Sequence, residues 1–269
     1  MARGTPEEAF SEAGAAMRRV VHQAVHEGTA EVSGRRPAVA AATRTQAVLW
    51  AVSIAAASIG VAALAMRLGM QADLWHWWVV PVLLAGMLAA DFGSGLVHWG
   101  ADTWGRDDFP VIGPRLLVPF RVHHINPGDF LRRSFIDTNG DVALLALPLL
   151  AAVWFVPPDN LSGVALSLFG VSFCGAGMMT NQIHQWAHMP APPLPVRLLQ
   201  DAGLILGRSA HATHHERPYD AHYCITTGWC NRPLEAIGFF RGIELVVTRA
   251  TGARPRHDDV RYEERYGVA

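Results

Sequence analysis

Residues 45–66, TQAVLWAVSIAAASIGVAALAM, run without a single charged side chain. A helix of that length rises ~33 Å at ~1.5 Å per residue, enough to cross the hydrocarbon core of a bilayer. This stretch decides the fold class, which is all-α, a multi-pass membrane helical bundle. The composition of the 269-residue chain agrees, because 51% hydrophobic against 17% charged is apolar for a soluble protein.

Three more spans are expected downstream. Residues 74–90 form an apolar run opened by Trp75, Trp77 and Trp78, an interfacial aromatic belt, and continue past Asp91 as helix to Gly100. Residues 142–156 are a shorter third run, and after the Pro157-Pro158 turn residues 161–180 supply the fourth, giving about four transmembrane helices. The later apolar stretches 194–207 and 234–247 are broken by Arg197, Asp201, Glu235, Arg241 and Glu244, so they are expected to lie in the interface. Upstream, residues 1–40 mix arginines with glutamates and read as a cytoplasmic tail. They lack the order of a secretory signal, so the first span is read as retained. The expected division is a tail over 1–40, a membrane-embedded domain over 41–247 and a C-terminal tail over 248–269.

Arg35, Arg36 and Arg44 precede the first span, and Arg106, Arg115, Arg121, Arg132 and Arg133 follow the second, whereas Arg67 is the only basic residue between spans one and two. The positive-inside rule then places both termini, and the segments after spans two and four, in the cytoplasm. A net charge of −1 offers no basic surplus for phosphate contacts, so no nucleic-acid partner is expected. Cys174, Cys224 and Cys230 form neither an even framework nor a CxxC pair, and reduced thiols are expected.

Thirteen histidines against four tyrosines are the anomaly. His98 stands four residues before Asp102, on one helical face. His123 and His124 lie in RVHHINP, His184 and His188 are four apart in NQIHQWAH, and AHATHH gives His211, His214 and His215. A lone i,i+4 histidine pair is most often incidental. Four groups on one expected membrane face are not, because buried imidazoles need partners to offset their desolvation. Eight imidazoles exceed the needs of one ion, leaving two metals, or one metal with supporting histidines. The position that an HExxH hydrolase gives to its glutamate is Gln185, and Glu216 is the only glutamate near the groups, which argues against carboxylate-type di-iron sites. An all-histidine set with one aspartate suggests membrane non-haem iron that activates oxygen. His22, His26, His76 and His257 stand apart from it.

HxxxH and HxxHH groups at the ends of paired spans resemble the membrane fatty-acid desaturases and hydroxylases. More specifically, DFGSGLVHWGADTWG (91–105), PFRVHHINP (119–127), DTNGD (137–141), TNQIHQWAH (180–188) and HATHHERPYDAHYCITTGWCNRPLE (211–235) resemble the plasmanylethanolamine desaturase family in one register. The resemblance implies an oxygen-dependent dehydrogenation of the O-alkyl chain of an ether glycerophospholipid to the vinyl ether of a plasmalogen. It implies two iron ions held by His98, His123, His124, His184, His188, His211, His214 and His215. Asp102 would be a ninth ligand or would orient His98 from outside the metal, and Asn139, Asn181 and Asp201 would support the ligands or serve only as helix caps and satisfied polar groups. This chain has Tyr219 where the family pattern carries a further histidine, and His222 follows three residues later as a candidate replacement. The loop from Tyr223 to Trp229 is expected near the metal site, and an anchor in the membrane interface would look the same in sequence.

The hard chemistry would belong to the cofactor, with O2 as cosubstrate. The chain has no GxGxxG and no haem or cysteine-cluster motif, so electrons are expected from an external donor of cytochrome b5 or ferredoxin type. Arg121, Arg208 and Arg217 are candidates for holding the lipid head or, equally, arginines that snorkel to the interface. The alternatives are an acyl-chain desaturase or hydroxylase of the same di-iron type, and a membrane protein that only binds or transports metal. The Ala/Arg-rich composition points to a bacterial inner membrane.

Overall fold

The computed structural model describes residues 38–71 and 76–256, and these are helical with connecting loops. Trp75, Arg35, Arg36, His22, His26 and His257 lie outside the described residues. Among the described residues, four helices are long and apolar enough to cross a bilayer: α1 (Arg44–Gly69), α2 (Val79–Thr103), α5 (Phe135–Trp154) and α6 (Leu161–His188). The chain is a multi-span helical membrane protein.

Local chemistry sets where each span begins. Thr43 accepts from the backbone N–H of Gln46 while the Gln46 side chain accepts from that of Thr43, a reciprocal capping box that starts α1. The Ser134 hydroxyl caps α5 through the N–H of Asp137, so the third span opens at Phe135, seven residues before the expected 142. The polar turn DTNGD is therefore the first part of the helix and faces inward, with Asn139 and Gly140 buried. Asn160 caps α6 directly after the Pro157-Pro158 turn. That helix runs beyond residue 180 to His188, which carries both of its histidines on its last two turns.

Two parallel pairs, α1 on α5 and α2 on α6, are joined by the antiparallel contact of α5 with α6 to build the bundle. Small residues let them approach, as lipid-surrounded helices require. Ala57, Ala143, Ala146 and Cys174 pack with Leu64 and Leu150 in one core, and Gly140 faces Trp50 with no room for a Cβ.

Short helices close the end of the bundle where α2 and α6 finish and α5 begins. A five-residue π-turn (Gly113–Leu117) leads into α3 (Val118–Ile125) and α4 (Pro127–Leu131). After α6 follow α7 (Leu194–Asp201), α8 (Arg208–His214), α9 (Asn231–Ala236) and α10 (Phe239–Thr251). The two stretches expected in the interface are shorter than the sequence suggested. The first helix stops at Asp201, and the second is divided at Gly238, whose φ of +63° favours glycine. No residue of α10 is buried, and its Leu245 and Val246 are exposed, as suits a helix lying on a membrane surface.

Candidate metal centre

Four short segments converge at this capped end. His98 and Asp102 leave the last turns of α2, His123 and His124 come from α3, and His184 and His188 from the end of α6. His211 and His214 lie on α8, and His215 terminates it. Two adjacent groups result. In one, His123, His184, His188, His211 and His215 present ring nitrogens all within 4.8 Å of one another; in the other, ring nitrogens of His98, His124 and His214 and a carboxylate oxygen of Asp102 lie within the same distance.

The first group centres on His211, whose Nε2 lies 2.8 Å from that of His188, 2.9 Å from His184 and 3.1 Å from His215. His215 Nε2 is also 3.1 Å from His123 Nε2. In the second, His124 and His214 bring their Nε2 atoms to 3.0 Å, while Asp102 Oδ2 is 3.4 Å from His98, 3.7 Å from His124 and 3.6 Å from His214. His98 and His184 rings are 5.6 Å apart, so the groups are neighbours in one chamber.

Hydrogen bonding alone does not account for these contacts. His98 Nδ1 bonds the Tyr223 carbonyl at 3.2 Å, His123 Nδ1 that of Phe120 at 2.9 Å, and His214 Nδ1 that of Ala221 at 2.8 Å. A carbonyl accepts only, so each Nδ1 carries the proton and each Nε2 keeps a lone pair aimed at the centre. Lone pairs converging at ~3 Å repel unless a cation lies among them. His98 Nε2 and His211 Nδ1 are buried without a hydrogen-bond partner. Neutral imidazoles oriented by backbone carbonyls, with one carboxylate, are the donor set of a transition-metal site, and the residues present fit two metal ions.

Burial, and after it the neighbouring imidazoles, hold His123, His211 and His215 well below the ordinary histidine range; burial and His124 do the same for His214. The sign follows directly. In the unfolded chain these groups take up protons below pH ~6.5, and in the folded chain they do not until the pH is much lower. Unfolding therefore binds protons, and stability is lost as pH falls below ~6.5. Metal-stripped protein in detergent is expected to melt at progressively lower temperature from pH 7.5 to 5.5, and a flat profile over that window would contradict the buried neutral cluster.

Other candidate positions differ in kind. Asn139 is buried, donates to the Phe135 carbonyl and accepts from the N–H of Gln182, and Asn181 donates to the Thr138 carbonyl, so both fasten α5 to α6 beneath the histidines. Asp201 is exposed at the end of α7 and outside both groups. His222 bonds the Ala210 carbonyl through Nδ1 and lies 3.0 Å from Glu235 through Nε2, so it also stands outside them. Tyr219 stacks on His124 with ring centroids 4.7 Å apart.

Sequence reasoning passed over Asp91. Its fully buried carboxylate accepts from the N–H groups of Thr226, Thr227 and Gly228 through Oδ1 and of Cys230 through Oδ2, at 2.7–3.1 Å. It thereby pins the loop that presents the Tyr223 carbonyl to His98. A lone carboxylate within an apolar span was the available signal.

A cavity of about 640 Å³ opens beside the first group, and His123 and His184 line it. Its other walls divide by depth. Arg115, Arg133, Asp129, Asp137 and Asp141 line it near the histidine level, while Leu145, Leu149, Phe173 and Met178 line it along α5 and α6 toward the bundle interior. The three arginines proposed for a lipid head do not reach it: Arg121 is buried and paired with Asp107, Arg208 donates to the Pro190 carbonyl, and Arg217 is exposed.

Fold and site together define a multi-span helical membrane protein with two adjacent histidine clusters that could hold metal, beside a largely apolar cavity. The chain belongs to the lipid desaturase domain family, whose model matches residues 87–258. It is 44% identical over 188 residues to a plasmanylethanolamine desaturase of Myxococcus xanthus, covering 68% of this chain and 66% of that protein, just under two thirds of the relative's length. It is 44% identical over 202 residues to plasmanylethanolamine desaturase 1 of Mus musculus, covering 71% and 74%. To the chloroplastic fatty acid desaturase 4-like 1 of Arabidopsis thaliana it is 32% identical over 186 residues, covering 67% and 61%. No solved structure matches.

Proposed function

We propose that the protein is an oxygen-dependent di-iron desaturase that converts the O-alkyl chain of an ether glycerophospholipid into the vinyl ether of a plasmalogen. The observation that carries this reading is the position of His123 and His184 in the cavity wall, at the level where charged lining gives way to apolar lining. A vinyl ether forms at the first two carbons of the chain, next to the glycerol oxygen. The reacting bond must then sit where the head-group region ends and the alkyl tail begins. The two relatives called plasmanylethanolamine desaturases support the same substrate class.

Two iron ions held by the five-histidine group and by the His98, Asp102, His124, His214 group would supply the oxidising power, with O2 reduced to water and two electrons arriving from an external donor of cytochrome b5 or ferredoxin type. The chain's own residues do the remainder. Phe120 packs edge-on against His98 at 4.7 Å and Phe130 lies 4.9 Å from His184, so aromatic faces shield the centre from water. Leu145, Leu149, Phe173 and Met178 hold the alkyl tail. The Asn181 bond to α5 fixes the depth of His184 relative to the cavity floor. In this reading the histidine end and both termini face the cytoplasm, and the membrane is a bacterial inner membrane.

The test is expression in a host that makes no plasmalogen, with a 1-O-alkyl phospholipid supplied and acid-released long-chain aldehyde measured. Aldehyde above the empty-vector background is the expected result. Iron-loaded protein that instead unsaturates or hydroxylates acyl chains would replace this reading with the acyl-chain one, and protein that binds no iron would end the oxidative reading.

A further inference from the structure

The charged lining of the cavity is mixed in sign and arranged in a row. Arg115 pairs with Asp141, whose Oδ1 also accepts from the Trp50 indole at 2.8 Å, and the Arg115 guanidinium lies over the Trp50 ring, 5.4 Å from its centroid. One turn back along α5, Asp137 meets Arg133 at 3.0 Å, and Arg133 reaches Asp129 at 3.4 Å. These five charges line the same cavity as His123 and His184. We propose that this row is the head-group site of the substrate, built for a zwitterionic phospholipid whose phosphate is held by Arg115 and Arg133 and whose primary ammonium is held by Asp137 and Asp141. The inference rests on the lipid-desaturase reading and adds the selection of the head group to it.

The argument is one of charge replacement. At the edge of a bilayer an unpaired charge is costly, so the five groups pair among themselves. A zwitterion entering the row exchanges like for like: its phosphate takes over the guanidinium contacts of a carboxylate, and its ammonium takes over the carboxylate contacts of a guanidinium. Guanidinium and phosphate form well-directed charge-assisted bonds. An anionic head brings a phosphate and no cation, so it would draw an arginine away and leave an aspartate uncompensated. The lining holds three aspartates against two arginines, which adds to the bias against anionic heads. Asp141, with 39% of its side chain exposed, and Arg115, with 30%, are the more open partners, while Arg133, Asp129 and Asp137 are more enclosed. The geometry also agrees with the chemistry. Thr138, one residue from Asp137, is tied through its carbonyl to Asn181, one turn before His184 on α6, so the row stands at the level of the metal-facing wall. A head group there leaves the first carbons of the chain beside His123 and His184.

Full-length, metal-loaded protein would be given mixed vesicles of two 1-O-alkyl-2-acyl phospholipids with identical chains, one with an ethanolamine and one with a glycerol head. Aldehyde from each would be measured, and the lipid retained on purified protein would be determined by mass spectrometry. The wild type is expected to favour the ethanolamine lipid in both readouts. Asp137→Asn with Asp141→Asn should lower that preference by about tenfold, the scale of one lost charge contact in a half-solvated site. Arg115→Gln should weaken retention of both lipids, because both carry the phosphate, and should not lower the ethanolamine preference, because Asp137 and Asp141 remain. Unaltered metal content in each variant shows that it has folded. A double-aspartate variant that keeps the wild-type preference, or a wild type with none, overturns the proposal. If no vesicle lipid yields aldehyde, the desaturase reading fails, and the retained-lipid ratio still decides the head-group site by itself.

Discussion

His211→Ala is expected to abolish vinyl-ether formation, with a fall of more than about 100-fold, and to lower the iron content of the purified protein. The size follows from its place in the five-histidine group, where its Nε2 touches those of His188, His184 and His215 at 2.8–3.1 Å. Mutating a group that merely orients a metal ligand costs about 10–100-fold in affinity or activity. Removing a nitrogen shared by three neighbours should cost more, because the remaining lone pairs then face one another without the cation that reconciles them. His222→Ala is the contrasting case. His222 is engaged by Ala210 and Glu235 outside both groups, so its loss should leave the metal content intact. Elemental analysis beside the aldehyde assay reads both, and a His211→Ala protein with a full iron complement would remove the five-histidine group from the proposed centre.

The helical class and the number of spans were legible because they depend on uncharged length, which sequence displays directly. The grouping of the histidines was partly legible. The four-residue spacings of His98 with Asp102 and of His184 with His188 are local, and a helix face follows from them. Which group joins which was not, since His123 and His124 are adjacent in sequence and yet belong to different groups. Their separation depends on the angle at which α3 leaves the π-turn, a tertiary property with no periodic signature. The start of α5 was missed for another reason. DTNGD is polar, and a hydropathy reading ends a span at such residues, but here they point into the protein, where Asn139 and Asn181 find partners across the α5 and α6 contact. Tyr223 to Trp229 was expected near the metals on resemblance alone, and the contact that places it, the Tyr223 carbonyl on His98, is made by backbone and therefore leaves no mark in the residue types.

Asp91→Ala is expected to be strongly destabilising, although Asp91 lies outside both candidate metal groups. The carboxylate is inaccessible to solvent and satisfies four backbone N–H groups of one loop, at Thr226, Thr227, Gly228 and Cys230. Removing it orphans four donors, those of Thr226 and Thr227 buried and those of Gly228 and Cys230 partly so, and a buried charge-assisted network deprived of one partner typically loses ~3–5 kcal/mol. The loop has further anchors, since Asn231 accepts from the Cys224 N–H and donates to its carbonyl, and the Ser94 hydroxyl accepts from the Ile225 N–H. These should hold the chain near its course while residues 226–230 loosen. The consequence for the metal centre is asymmetric. His98 takes its orientation from the Tyr223 carbonyl, so the group of His98, Asp102, His124 and His214 should lose metal first, while the five-histidine group, which has no ligand on that helix, keeps its own. Asp91→Asn should be milder. Its remaining oxygen can still accept from Thr226, Thr227 and Gly228, and only the contact to Cys230 becomes donor against donor. Thermal melting in detergent, read together with iron per chain, separates the cases: a large fall in melting temperature and about half the iron for alanine, and a small fall with nearly full iron for asparagine. An alanine variant that melts like the wild type would mean that the carboxylate does not organise the loop.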